Sequence, residues 1–331
     1  MSSLWGTGVR MRRMAGIRTY HHEAFDPETL ALAKDGRVIS VIIPARDEET
    51  TIGGIVVAIR RQLVATFALV DEILVVDDRS TDRTRARAVA AGARVVGSND
   101  VLVEYGPARG KGGALWKGVA AATGDVLAFV DGDVADFDPR FVVGLLGPLL
   151  TPADSEVAFV KGFYERPLNG AARGGGRVTE LAARPIVSIL LDHLAGIIQP
   201  LAGEFAAPRT TLERLPFVEG YGVDIGLLAD AAATFGVDAV VQVDLGRRVH
   251  RNRPIHELGP MSTEVLLAVL SRAGDRRADD RTARRARAPC GRHPRRTPAP
   301  RRGRAVSRAS PSRCVTLKAW RDPTLPRCCC A

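Results

Sequence analysis

The chain has 331 residues, 46% of them hydrophobic and 25% charged, the composition of an ordinary globular protein with material for a sizeable core, and a formal net charge of +10. Residues 275–331 hold 16 Arg and 1 Lys against 4 Asp, a charge of +13, so residues 1–274 carry −3 and the basic balance does not mark the body as a partner for a polyanion. All five cysteines (Cys290, Cys314, Cys328, Cys329 and Cys330) lie in that tail, which excludes a disulfide scaffold or cysteine-held zinc from the body and makes a reducing cytoplasm the expected compartment.

Residues 1–36 read as a weakly structured lead-in. Arg10, Arg12 and Arg13 are not followed by the apolar stretch of a secretory leader, and Asp26 can cap a short helix over 27–34. From residue 37 the pattern becomes regular. A β-branched run at 38–43 predicts a strand ended by Pro44, followed by a helix over 49–64 and a second strand at 73–76. A helix over 82–91 closed by Gly92, a strand at 94–96, a glycine-rich loop at 106–113, a helix at 114–122 and a strand at 126–130 come next. Unbroken apolar strands alternating with helices predict an α/β fold, a mostly parallel Rossmann-like sheet covered on both faces. Ligands of such sheets bind at the carboxyl ends of the strands, which selects residues 44–48, 77–80 and 131–133.

Beyond residue 135 the order changes: a helix at 141–150, a strand at 157–161, a turn at 174–176 and a helical region to 195. Its most apolar part, 186–202, is interrupted by Asp192 and His193 and is too short to span a bilayer. A helix at 223–235, a strand at 239–244 and a helix at 261–273 complete one domain over 37–274, with a nucleotide half at about 37–135 and an acceptor half at about 136–274. In residues 275–331 the aliphatic side chains larger than alanine are Val306, Val315, Leu317 and Leu325, too few to offset chain entropy, so a disordered basic tail is expected.

Several motifs fall on the selected strand ends. Asp131 and Asp133, at i and i+2, offer the hard oxygen ligands that a divalent ion bridging a diphosphate needs. Standing alone, the same pair is more often a solvated Asp-Gly turn; the strand context and the other motifs reverse that. Residues 77–84 supply helix caps in Ser80 or Asp82 and two further carboxylates, Asp77 and Asp78, placed to accept hydrogen bonds from a base or ribose. In 106–113 the glycines allow close approach to phosphate, Arg109 and Lys111 add positive charge, and the following helix adds free amides. Gly112 stands where a P-loop requires Ser or Thr, and no G-x-G-x-x-G follows the first strand, which argues against a dinucleotide dehydrogenase.

In the second half, residues 174–180 open a helix with amides, the Arg177 guanidinium and the Thr179 hydroxyl, a set suited to an anionic acceptor. Arg247, Arg248, Arg251 and Arg253 surround His250. A lone histidine is more often a surface or core residue, but four arginines beside it in an acidic body point to phosphate.

These residues resemble a known family. V-I-I-P-A-R-D-E-E (41–49), V-V-D-D-R-S-T-D-R-T (75–84) and V-D-G-D (130–133) are similar to nucleotide-sugar glycosyltransferases of the GT-A fold. P-A-R-G-K-G-G-A-L-W (107–116), G-G-G-R-V-T-E-L-A-A-R-P (174–185), Q-P-L-A-G-E (199–204), G-Y-G-V-D-I-G-L-L (220–228) and H-R-N-R-P-I-H-E-L-G-P-M-S (250–262) narrow the resemblance to glucosyl-3-phosphoglycerate synthases, over about residues 37–272. The resemblance implies retaining transfer of glucose from UDP-glucose, or GDP-glucose, to the 2-hydroxyl of 3-phosphoglycerate. It further implies Mg2+ or Mn2+ as cofactor and a homodimer; neither a nucleic-acid partner nor a membrane span is expected.

Residue by residue, the resemblance implies that Pro44, Ala45, Arg46, Asp47, Glu48, Asp78 and Lys111 hold the nucleotide and diphosphate. Asp131 and Gly132 would touch the donor, while Asp133 and His250 would bind the metal. Gly176, Arg177, Val178, Thr179 and Asn252 would take 3-phosphoglycerate. Leu201, Tyr221, Gly222, Val223, Asp224, Arg248, Val249, His250, Arg251, Asn252 and Arg253 would surround the glucose and phosphates. The catalytic set the resemblance implies is Asp133, His250, Asp224 and Lys111. Asp224 departs from the glutamate usual in the family, Arg46-Asp47 from an apolar residue followed by Asn, and Asp78-Arg79 from Ser-Gly. The competing expectations are another GT-A transferase (a mannosyl-3-phosphoglycerate synthase or a polyprenyl-phosphate hexosyltransferase) and, in a different class, a basic-tailed nucleic-acid-binding protein.

Overall fold

The structure, a computed structural model, describes residues 12–14, 16–151, 156–166, 176–248, 258–287 and 314–315. The strands are β1 (Arg12–Met14), β2 (Ile17–His21), β3 (Ile39–Ala45), β4 (Glu72–Asp77), β5 (Arg94–Gly97), β6 (Val126–Phe129), β7 (Phe159–Glu165), β8 (Phe205–Pro208), β9 (Phe217–Val218), β10 (Val240–Arg247) and β11 (Cys314–Val315). All but β9 and β11 form one sheet in the order β1-β2-β10-β7-β8-β6-β3-β4-β5. Strands β2, β10 and β7 run parallel to one another, as do β6, β3, β4 and β5. Between these two groups β8 lies antiparallel to both β6 and β7, so the two groups share one direction. The carboxyl ends of β6, β7 and β10 and the amino end of β8 therefore meet at one edge.

The helices are α1 (Pro27–Ala33), α2 (Ile52–Ile59), α3 (Thr84–Ala91), α4 (Gly110–Ala121), α5 (Arg140–Leu150), α6 (Arg184–Leu190), α7 (Arg209–Leu212), α8 (Val223–Phe235) and α9 (Leu258–Arg287). They cover both faces because the strands bury both. In β3, Val41 and Ile43 enter a layer with Ile55 and Val56 of α2 and Leu145 and Leu146 of α5. Ile42 points the other way, into the layer that also holds Leu115 of α4, Leu228 of α8 and Val269 of α9. Each such fully buried aliphatic side chain contributes about 1.5–3 kcal/mol.

The expected alternation of strands and helices is present, and α8 has the expected bounds. Three expectations change. The lead-in supplies β1 and β2, which extend the sheet beyond β10, β2 pairing parallel with it. Half of the glycine-rich loop is helical, since α4 begins at Gly110. The helix expected to end at 273 runs on to Arg287, consistent with its alanines and arginines being good helix formers, and Cys314–Val315 pairs with β9. The rest of the tail lies outside the described residues.

The start of α4 is fixed by close approach. A Cβ on Gly112 would overlap the Val218 carbonyl oxygen of β9, whereas one on Gly54, in α2, would meet nothing within 4 Å. Gly112→Ala should therefore destabilise the protein by about 1–3 kcal/mol. Gly54→Ala should stabilise it by about 0.5–1 kcal/mol. Urea unfolding of the two variants checks this opposition of sign.

Candidate active site

A cavity of about 480 Å³ opens at the shared strand edge. Its wall includes Pro44, Ala45, Arg46 and Glu48 after β3, Asp78 after β4, and Asp131, Gly132 and Asp133 after β6. Across from them stand Gly110, Lys111 and Ala114 of α4, Arg166 after β7, residues 176–179, Leu201, Tyr221, Asp224, Arg248, and Leu258, Met261 and Val265 of α9.

The first-half loops brace one another. The Thr81 N–H donates to Asp47 Oδ1 at 2.7 Å, the Glu48 N–H to Thr84 Oγ1 at 2.7 Å, and Thr51 Oγ1 to the Gly132 carbonyl at 2.7 Å. Asp47, with φ of 57°, thus uses its carboxylate to tie the β3 loop to the β4 loop. The Ser80 N–H donates to Asp77 Oδ1 at 3.1 Å, and Asp78 accepts from Ser98 Oγ at 2.9 Å and Arg79 Nε at 3.0 Å.

Opposite charges alternate across the floor. Lys111 Nζ lies 3.0 Å from Asp131 Oδ1 and 3.0 Å from Asp224 Oδ2. Arg248 Nη1 lies 3.2 Å from Asp131 Oδ2 and 2.5 Å from Glu204 Oε1, and its Nη2 lies 2.6 Å from Asp133 Oδ1. Glu204, at the amino end of β8, is fully buried, and Asp133 is 40% exposed. Burial opposes the charge on Lys111, but Asp131 and Asp224 outweigh it and hold the ammonium well above the ordinary lysine range. Burial likewise raises Asp131, but Lys111 and then Arg248 hold it well below the ordinary carboxylate range. For Glu204 burial wins over Arg248, and its pKa rises.

Of the expected site residues, Asp47, Gly222 and Val223 are not on the cavity wall. Asp47 is taken by Thr81, Gly222 packs against α9 at Glu264 and Ala268, and Val223 is fully buried in the core. Arg109 is also off the wall, its carbonyl accepting from the Gly220 N–H at 3.2 Å. Val249, His250, Arg251, Asn252 and Arg253 lie outside the described residues. Sequence reasoning missed Arg166, Lys161, Tyr164 and Glu204. The signal for Lys161 and Glu204 is a charge inside an apolar run, in V-K-G-F and G-E-F-A-A.

Asp131 and Asp133 supply oxygen donors suited to a hard divalent cation at the cavity. Among the described residues one other group, His21, His22 and Glu23, brings three potential ligand atoms within 4.8 Å of one another, and it is not on this wall. No helix among the described residues is long and apolar enough to cross a membrane.

The α/β sheet, with an acidic pair at a central strand end and a lysine at a facing helix start, has the architecture of the glycosyltransferases of the GT-A fold, and the relatives give the same class. The profile of Glycosyl transferase family 2 matches residues 40–173. Glucosyl-3-phosphoglycerate synthase of Mycolicibacterium smegmatis is 53% identical over 249 residues, 74% of this chain and 80% of that protein. The Mycobacterium tuberculosis synthase, solved with Mn2+, UDP-glucose and phosphoglyceric acid, superposes with a TM-score of 0.69 at 48% identity, covering 76% of this chain and 84% of that one. The same enzyme with Mg2+ and UDP gives a TM-score of 0.71 at 47% identity, over 77% of this chain and 86% of that one. The chain belongs to the glucosyl-3-phosphoglycerate synthase family.

Lys161 is 1% exposed, 3.4 Å from the Asp224 carbonyl and 5.7 Å from the centre of the Phe205 ring. Burial, countered in part by Asp224, Glu204 and Asp131 and assisted by Lys111, lowers its pKa from 10.5 to about 8. Between these values the unfolded chain binds more protons than the folded one, so stability rises with pH. Lys161→Met should abolish that component: the unfolding free energy of wild type relative to the variant should climb between pH 8 and 10.5 in urea titrations.

Proposed function

We propose that the protein transfers glucose from UDP-glucose to the 2-hydroxyl of 3-phosphoglycerate with retention, using Mg2+ or Mn2+. The observation that carries this reading is a single cavity joining Lys111, Asp131 and Asp133 to Gly176, Arg177 and Thr179. The first set suits a diphosphate with its cation, the second an anionic acceptor. The M. tuberculosis relative, solved with UDP-glucose, phosphoglyceric acid and Mn2+, supports the same pairing of ligands.

A divalent ion on Asp133, with His250 as the second protein ligand by family resemblance, would supply positive charge against the leaving diphosphate. Lys111, held protonated between two carboxylates, adds a fixed ammonium there, and Arg248 adds a guanidinium aimed by Glu204 and Tyr164. Asp224 Oδ2 is used by Lys111, while its buried Oδ1 has no hydrogen-bond partner among the described residues and can accept from a sugar hydroxyl. Asp131, Asp133, Glu204 and Asp224 each pair with Lys or Arg, which favours same-face attack, with a diphosphate oxygen taking the acceptor's proton, over a covalent protein intermediate. GDP-glucose is the alternative donor.

A homodimer is part of the reading. Leu181, Ile189, Leu267 and Leu270 stand 51–73% exposed around α6 and α9, an apolar face that a second copy would cover. The cysteine-free body and the two metabolite substrates fit the cytoplasm.

Incubation with Mg2+, 3-phosphoglycerate and UDP-glucose should give a product heavier than the acceptor by one hexose, identified by mass, with the α-anomeric configuration retained by NMR. Chelator should abolish it, and Asp133→Asn should lower kcat by about 100-fold or more with the fold intact by circular dichroism. No product with any nucleotide sugar, or full activity in Asp133→Asn, would contradict the reading.

A further inference from the structure

Arg166 stands just beyond β7 on the cavity wall, outside every motif that pointed to the site. Its Nη2 donates to the Tyr164 hydroxyl at 2.7 Å, and its guanidinium carbon lies 4.8 Å from the centre of that ring. Arg248 holds the same tyrosine: Nη1 donates to the hydroxyl at 2.5 Å and the guanidinium stands 5.1 Å from the ring centre. Burial keeps the Tyr164 pKa above the ordinary phenol range, so the hydroxyl anchors both cations without adding charge.

The two arginines differ in counter-ion. Arg248 is paired with Asp131, Asp133 and Glu204. Among the described residues Arg166 has no carboxylate at ion-pair distance, and its buried Nε has no hydrogen-bond partner. It also lies against the acceptor turn. A Cβ on Gly176, whose φ is +74°, would stand 3.4 Å from both Cδ and Nη1 of Arg166. The planar guanidinium fork matches a planar carboxylate through paired N–H groups. A tetrahedral phosphate is served by the amides and hydroxyl of residues 176–179.

We propose that Arg166 is a specificity-determining residue that reads the carboxylate of the acceptor, with Tyr164 as its positioning residue. The inference rests on 3-phosphoglycerate being the acceptor. It divides the acceptor's two anionic groups between two elements, with the carboxylate on the end of β7 and the phosphate on the turn before α6.

The test uses the full chain with Mg2+ and UDP-glucose and three acceptor probes: 3-phosphoglycerate, glycerol 3-phosphate, which lacks the carboxylate, and glycerate, which lacks the phosphate. KM is measured, or competitive Ki for a probe that is not glucosylated. Arg166→Met should weaken 3-phosphoglycerate and glycerate by about 10- to 100-fold, the loss of one charge-assisted pair. Glycerol 3-phosphate and UDP-glucose should stay within about twofold, and Arg166→Lys should recover part of the loss. Tyr164→Phe should act in the same direction, more weakly. Equal weakening of 3-phosphoglycerate and glycerol 3-phosphate would make Arg166 a phosphate ligand and overturn the assignment. So would a parallel loss of UDP-glucose affinity, which marks a structural role, or no change at all. A wild-type enzyme that glucosylates 3-phosphoglycerate while Arg166→Met keeps the wild-type ratio sinks this inference alone. A wild type that makes no such product sinks the functional reading with it.

Discussion

Asp131 is held at both oxygens, by Lys111 on one side and Arg248 on the other, and the organisation of the site follows from that clasp. Lys111 lies in the first turn of α4 and Arg248 directly follows β10, so one carboxylate joins the earlier and later parts of the chain across the cavity. Lys111 extends the link to Asp224 on α8, and Arg248 extends it to Glu204 beside β8 and to Asp133. Charges this deep are expensive to desolvate, and a buried pair is weak evidence for stability in itself. What the alternation supplies is mutual dependence: remove one partner and its neighbour becomes an uncompensated buried charge.

The topology explains why the network can exist. Inserting antiparallel β8 between β6 and β7 brings the amino end of one strand to the carboxyl ends of its neighbours. Glu204 reaches Arg248 for that reason. Among the described residues, the cavity wall with the buried Lys161 and Glu204 beside it holds Arg46, Lys111, Lys161, Arg166, Arg177 and Arg248 together with Glu48, Asp78, Asp131, Asp133, Glu204 and Asp224, a balance of six cations and six carboxylates. A diphosphate arriving with a divalent cation preserves that balance. In the proposed reaction this ligand pair would enter a site whose charges are already placed, a route to electrostatic catalysis.

Much of this fold is legible in the sequence because its strands are unbroken. Residues 38–43 and 73–76 cannot be read as amphipathic, and their acidic ends fall where an α/β sheet binds ligands. Other elements carry no such signal. The five residues of β2 include Arg18, Thr19 and His21, and their place is set by pairing with β10, some 220 residues away. The alanines of β8 and its closing Pro208 carry no strand pattern. Among site residues, the aspartates at strand ends announce themselves by spacing. Lys161 in β7, and Arg166 and Glu204 just outside β7 and β8, have at most a charge beside apolar residues to mark them, and only the tertiary layout shows which of these charges face inward. Asp47 illustrates the reverse: it has the right position in sequence but is used to fasten one loop to another.

A double-mutant cycle between Lys111 and Asp224 tests the central claim most directly, using Lys111→Met, Asp224→Asn and the double variant in urea unfolding. If alternating charges bind the earlier and later parts of the chain, each single change strands a buried partner. The double variant should then be less destabilised than the sum of the singles by about 1 kcal/mol or more. Additivity within about 0.5 kcal/mol would show that the two groups do not depend on one another and would contradict the account.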